Sequence, residues 1–247
     1  MYVERTYRQW SGKNGLNRFA VTIGQSDLQI QCHGDLQSEA TRLLKIARNE
    51  IEAYIAAHPS FRESLMPVDV REDAPPIIRS MSAAGRAWKV GPMAAVAGAV
   101  AQFVGRGLAG RSDEVIVENG GDLYLRSSKP VSVALYAGEG SPFSDKIVFL
   151  VNAADGIGVC TSSGVVGPSL SFGKADAVVA VSRNVAFADA CATALANRIA
   201  KPTDVARVLD EEREEARLDG LIACCGDRIG LWGDMEIVKR GAFQCDA

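Results

Sequence analysis

The sequence predicts an α+β fold, mostly antiparallel sheet with helices packed on it. Apolar residues alternate with period two in many short segments, and Gly, Asn and Asp separate those segments, as in half-buried strands joined by turns. The segments come in consecutive runs, without the one-for-one alternation with helices that marks a parallel sheet. Fewer stretches carry the three- and four-residue spacing of a helix with one buried face.

In chain order, Tyr2–Arg8, Arg18–Ile23 and Asp27–Cys32 read as an opening antiparallel meander, with turns at Gly12–Gly15 and Gly24–Ser26. Leu43, Leu44, Ala47, Ile51, Tyr54 and Ile55 then form a helical stripe, with Arg42, Lys45, Arg48, Glu50 and Glu52 outside it. Asp35 or Ser38 is placed to cap this helix and Pro59 to end it. His58 falls in its last turn, where a cation complements the helix dipole, and His33 reads as structural. Phe61–Ser80, with Pro67, Pro75 and Pro76, reads as a connector. Met81–Leu108 is rich in Ala and Gly, and its helical part is expected at about Pro92–Val104, with Pro92 in the first turn.

Strands are expected next at Glu114–Glu118, Leu123–Arg126, Val131–Tyr136, Lys146–Val151, Gly158–Thr161 and Ala177–Val181. A helix at about Ala186–Ala200 stops before Pro202, and a shorter one lies within Thr203–Leu218, its run Asp210–Glu215 forming a solvated face. Gly220–Val238 reads as short strands with turns at Gly226-Asp227 and Gly233-Asp234. All of residues 1–247 are read as one domain. It comprises a meander and helix up to 60, a motif-bearing part over 81–200 and closing strands over 220–238.

Composition bounds the chemistry. The 247 residues are 47% hydrophobic and 23% charged, enough for a sizeable core. A net charge of −3 argues against a protein held to nucleic acid by a broad basic face. Two histidines exclude a multi-histidine metal cage. Cys32, Cys160, Cys191, Cys224, Cys225 and Cys245 contain no CxxC pair and read as small buried hydrophobes of a cytoplasmic protein. In a strand, the adjacent Cys224 and Cys225 point to opposite faces; a redox pair is the alternative. The longest apolar run, Val90–Val104, is shorter than the ~20 residues of a membrane span. No apolar signal segment opens the sequence.

Four segments carry candidate chemistry. In Glu118-Asn119-Gly120-Gly121-Asp122 the glycines leave backbone N–H groups uncovered, as an anion-binding turn requires; a plain Asn-Gly hairpin is the alternative. In Gly158-Val-Cys-Thr-Ser-Ser-Gly164, Thr161, Ser162 and Ser163 offer hydroxyls to phosphate or ribose oxygens, or simply form a Ser/Gly loop. On the expected helix, Asp189, Thr193 and Asn197 recur every four residues and share a face. A carboxylate and a hydroxyl one turn apart are hard oxygen donors, as Mg²⁺ prefers; a dipole-favoured Asp with solvated neighbours is the alternative. Arg86 and Lys89, ahead of the Ala-rich helix, are placed either to meet a phosphate at its N-terminus or to stand as solvated cations.

In this order the segments resemble the ApbE superfamily, which includes flavin transferases that attach FMN from FAD to a protein threonine. Gly91–Val104 is similar to the family's small-residue entry and helix, followed by Asn119-Gly-Gly-Asp122. Gly158-Val-Cys-Thr-Ser-Ser-Gly164 is similar to its Gly-Val-Ser-Thr-Ser-Gly, and Ala188-Asp-Ala-Cys-Ala-Thr-Ala194 to its Ala-Asp-Ala-x-x-Thr-Ala. The resemblance implies a T-fold-like architecture and Mg²⁺ on Asp189 and Thr193. It also implies a flavin nucleotide near Asn119, Gly120, Gly121, Asp122, Thr161, Ser162 and Ser163. Active members carry a His…Asp-Pro-x-Thr-Gly segment after the Thr-Ser loop. Here Val165–Asp176 has neither the His nor the Asp-Pro, and offers Ser169, Ser171, Lys174 and Asp176 as its polar groups. The expectation is therefore a small anionic or flavin-type ligand held without proven catalysis. The alternatives are a Mg²⁺-dependent FMN transferase or FAD pyrophosphatase, and a non-catalytic interaction module. Partners are expected to be a small molecule and, in a homodimer, a second copy, with no nucleic acid or membrane.

Overall fold

The computed structural model describes residues 15–144, 146–164, 173–215 and 217–239. The strand expected at Tyr2–Arg8, Cys245, and the candidate polar groups Ser169 and Ser171 lie outside the described residues.

Strands β1 (Asn17–Ile23) and β2 (Ser26–Cys32) lead into helix α1 (Gln37–Ala57) and the single turn α2 (Ser60–Glu63). Helix α3 (Pro76–Trp88) follows, then a 3-10 turn at Pro92–Ala95 that runs into α4 (Val96–Leu108). Five strands come next: β3 (Val115–Asn119), β4 (Asp122–Arg126), β5 (Val131–Ala134), β6 (Ile147–Val151) and β7 (Ile157–Ser162). Strand β8 (Ala177–Ser182) precedes helices α5 (Val185–Arg198) and α6 (Asp204–Glu215). The last strands are β9 (Gly220–Cys225), β10 (Arg228–Gly233) and β11 (Glu236–Lys239).

An eight-stranded antiparallel sheet has the order β1-β2-β3-β4-β7-β8-β9-β10, and a second sheet has the order β11-β6-β5. Period-two alternation divides the large sheet between two cores. Cys160, Val178, Ala180, Leu221 and Ala223 face the helices. Val159, Val179, Val181 and Ile222 pack with Phe149 and Val151 of the small sheet. The predicted α+β class, with mostly antiparallel sheet and helices packed on it, is the observed one. Cys224 and Cys225 divide as their spacing predicts, one in each core.

The segment read as a connector is where structure and expectation part. Residues 61–80 contain most of α2 and the first turn of α3. Pro75 and Pro76 read as breaks, yet they stand at the N-cap and first position of α3, where a missing N–H costs nothing and a fixed φ starts the helix. Downstream, Ile77, Ile78, Met81, Ala84, Gly85 and Trp88 form its buried stripe. α3 continues through Ala84–Trp88, the stretch read as the entry to the Ala-rich helix.

Helix α5 is buried over most of its circumference, because it packs on β7 and β8 and is covered by α3 and α4. Its alanines permit that enclosure. Gly98 of α4 makes it closer still: a Cβ there would lie 2.7 Å from the Val185 carbonyl oxygen and 2.8 Å from Asp189 Cβ. This contact brings the start of α4 onto the polar stripe of α5.

Candidate functional site

The register of the large sheet carries Asn119, Asp122, Cys160, Ala180 and Leu221 across one row. Side chains of one row share a face. That face is the helical one, as the burial of Cys160, Ala180 and Leu221 shows. The Asn119–Asp122 turn thus aims both polar ends under α4 and α5. Gly120 sits at φ 74°, a left-handed conformation that a side chain disfavours. Asn119 Nδ2 donates to the Ala97 carbonyl at 3.1 Å, which ties the turn to the first residues of α4. A Cβ on Gly121 would lie 3.1 Å from the Thr161 carbonyl oxygen, so turn and β7 are in close contact.

Asp189 occupies the centre of this arrangement. Its Oδ2 accepts the Gly98 N–H at 2.8 Å, and the Ala97 N–H is a second backbone donor to the carboxylate. Ala95, the N-cap of α4, has no side chain able to cap, so Asp189 caps that helix from another helix. Asp189 is 9% exposed and Asp122 is 7% exposed. Burial, then the negative charge of Asp122, raise the Asp189 carboxyl well above its ordinary range, against the lowering by the two N–H groups. Cys160, wholly buried, donates from Sγ to the Val185 carbonyl at 3.4 Å and also hydrogen-bonds the Asp122 side chain; burial pushes its thiol up.

Thr193, half-buried, follows Asp189 by one turn of α5, and Asn197 by two. The three hydroxyls of the Thr161–Ser163 run do not all join them. Thr161 shares a row with Val179, on the small-sheet side, whereas Ser162 shares one with Val178, on the helical side. Ser163 lies just beyond β7, and the next residue, Gly164, donates its N–H to the Ala175 carbonyl at 2.9 Å.

Arg86 and Lys89 lie at the end of α3, shortly ahead of the 3-10 turn Pro92–Ala95 that runs into α4. Arg86 is in the last turn of α3 and pairs with Asp69 at 2.7 Å on the surface. Lys89 is the C-cap of the same helix, at φ 57°. The last carbonyls of α3 lie beside these cations, and the next helical turn begins at Pro92. The N-terminus that does face the site, that of α4, meets Asp189. Sequence reasoning missed the Ala97 and Gly98 donors; one glycine amid the alanines of α4 was their only trace.

Asp122, Asp189 and Thr193 are hard oxygen donors, and two neighbouring buried carboxylates favour a cation between them. Among the described residues no group of three or more His, Cys, Asp or Glu side chains is arranged to hold a metal ion. A donor set of this size could hold Mg²⁺ only with waters completing its shell. A surface crevice of about 430 Å³ lies elsewhere, at the start of α1 beside Asp35 and Gln37. Its open position and lack of these groups leave the α4–α5 cluster as the better candidate.

The AbpE bacteria family model matches residues 8–216. A UPF0280 protein of Methanopyrus kandleri is 42% identical over 90% of this chain and 87% of its own length. A UPF0280 protein of Methanocella arvoryzae is 40% identical over 78% of this chain and 79% of its own. Among solved structures, the flavinyl transferase ApbE of Pseudomonas stutzeri, apo form, superposes with a TM-score of 0.57 at 14% identity, covering 88% of this chain and 93% of that one. That likeness is one of fold.

Proposed function

The chain belongs to the AbpE bacteria family, a branch of the ApbE superfamily, and from that premise we propose that it binds a flavin-type nucleotide by its phosphates. One observation carries the proposal: Asn119, Asp122 and Ser162 share the helical face of the sheet with the Asp189–Thr193 stripe. Asp189 and Thr193, with Asp122 beside them, would hold Mg²⁺. Bound there, the ion would supply a positive charge for pyrophosphate oxygens. The Asn119–Asp122 turn positions the opposite wall, tied to α4 through Ala97. The proposal is of binding, not transfer, because Val165–Asp176 lacks the His and Asp-Pro of the superfamily's active members.

Isothermal titration with FAD, with and without Mg²⁺, tests this. Saturable, Mg²⁺-dependent binding with FAD recovered intact is expected. No heat with FAD or FMN under either condition would refute it. Stoichiometric AMP release, lost in Asp189→Ala, would instead establish a Mg²⁺-dependent pyrophosphatase.

A further inference from the structure

Two acidic side chains at a phosphate site call for positive charge beyond the metal, and the cations expected to supply it, Arg86 and Lys89, end a different helix. We propose that Lys174 supplies it and so makes the site selective for the phosphate-bearing part of its ligand. This rests on the binding function proposed above.

The backbone fixes Lys174 on the helical side of the sheet, next to the Ser162–Gly164 end of β7. Its N–H donates to the Ile199 carbonyl, at the C-cap of α5, at 2.7 Å. Its carbonyl accepts from Cys225 Sγ at 3.3 Å. Gly164 lies directly against it: a Cβ there would meet the Gly173 carbonyl oxygen and lie 3.1 Å from Lys174 N. Gly173 in turn is pressed on the Ala196 carbonyl, so the segment has no room to slide along α5. Thr193 and Ile199 are six residues apart, roughly 9 Å of helix rise, so Lys174 lies beyond the metal donors at the C-terminal end of α5.

The side chain is also available. Lys174 is exposed, and among the described residues it forms no ion pair. The acid nearest in sequence, Asp176, is directed elsewhere, its Oδ2 accepting the Gly226 N–H at 3.1 Å. Arg86, by contrast, is occupied by Asp69. A flexible ammonium held by a rigid backbone beside a hydroxyl run suits a phosphate, to which it offers three donors.

Titrating the full chain with FAD, inorganic pyrophosphate and riboflavin, each with Mg²⁺ present, tests the proposal. Lys174→Met should weaken FAD and pyrophosphate about tenfold, the loss of one charge-assisted contact, and leave riboflavin unchanged. Lys174→Arg should restore most of the affinity, and the difference between wild type and Lys174→Met should shrink as salt is raised. Arg86→Met, on the surface of α3, should bind like wild type. Equal FAD and pyrophosphate affinities for wild type and Lys174→Met would overturn the role of Lys174 and leave the binding function standing. Failure of the wild type to bind either ligand would overturn both.

Discussion

Asp189 serves two tasks with one carboxylate. It caps α4 through the Ala97 and Gly98 N–H groups, and it is the proposed metal donor. Substitution separates them. Asp189→Ala removes the cap and should cost about 1 kcal/mol, or more if the buried N–H groups find no water. Asp189→Asn keeps an acceptor for Gly98 and removes the repulsion with Asp122. In Mg²⁺-free buffer its Tm should equal or exceed that of the wild type, while the rise in Tm on adding Mg²⁺ disappears. Thermal melts with and without EDTA measure both, and a large loss of Tm in Asp189→Asn would show that charge, not shape, holds α4. Gly98→Ala should be destabilising by roughly 1–3 kcal/mol, because its Cβ meets backbone at 2.7 Å and α5 has no free side to retreat to.

Among the elements, the connection from α5 to α6 is held by one half-buried acid, the first residue of α6. Asp204 Oδ2 accepts the N–H groups of Ala200 and Lys201, at 3.0 and 3.1 Å, and the Ala200 bond is the main cause that holds its carboxyl below the usual range. A lowered carboxyl contributes stability that is present above its unfolded pKa and is lost as pH falls through the folded one. Asp204→Ala should therefore lower Tm at neutral pH and converge with the wild type in strong acid; parallel curves at all pH values would contradict this. Helix α3 provides a second check: Met81→Ala, at a wholly buried position, should cost about 2–5 kcal/mol in denaturant melts.

The elements also mark what was legible in the sequence. Strands and turns were, because Asn119-Gly120 and Gly226-Asp227 punctuate period-two patterns. Helix α3 was hidden by reading Pro75-Pro76 as a stop. Arg86 and Lys89 lie both at the end of α3 and ahead of the Pro92–Ala95 turn that leads into α4, and local spacing shows only the second of these. The cluster of Asp122 and Asp189 was half legible. Motif order pointed to both residues, but their shared face depends on a sheet register of β4 with β7 that local spacing does not encode.

At the scale of the whole molecule, the large sheet separates two cores of different purpose. The helical side carries the candidate site, and the small sheet only completes the other core. Phe149→Ala, wholly buried against the small-sheet side, should cost about 3–5 kcal/mol of stability yet leave FAD affinity within twofold. A parallel loss of affinity would mean that the two sides are coupled through the sheet. The described segments include no single helix long and apolar enough to cross a membrane. The division of Cys224 and Cys225 has a practical consequence. Their thiols belong to different cores, and burial pushes that of Cys224 up to about 12, so neither is reactive while both layers hold. Alkylation followed by peptide mapping then becomes a two-channel clock: Cys225 is modified when the helices lift, Cys224 when the small sheet departs, and their order in time tells which layer of the protein opens first.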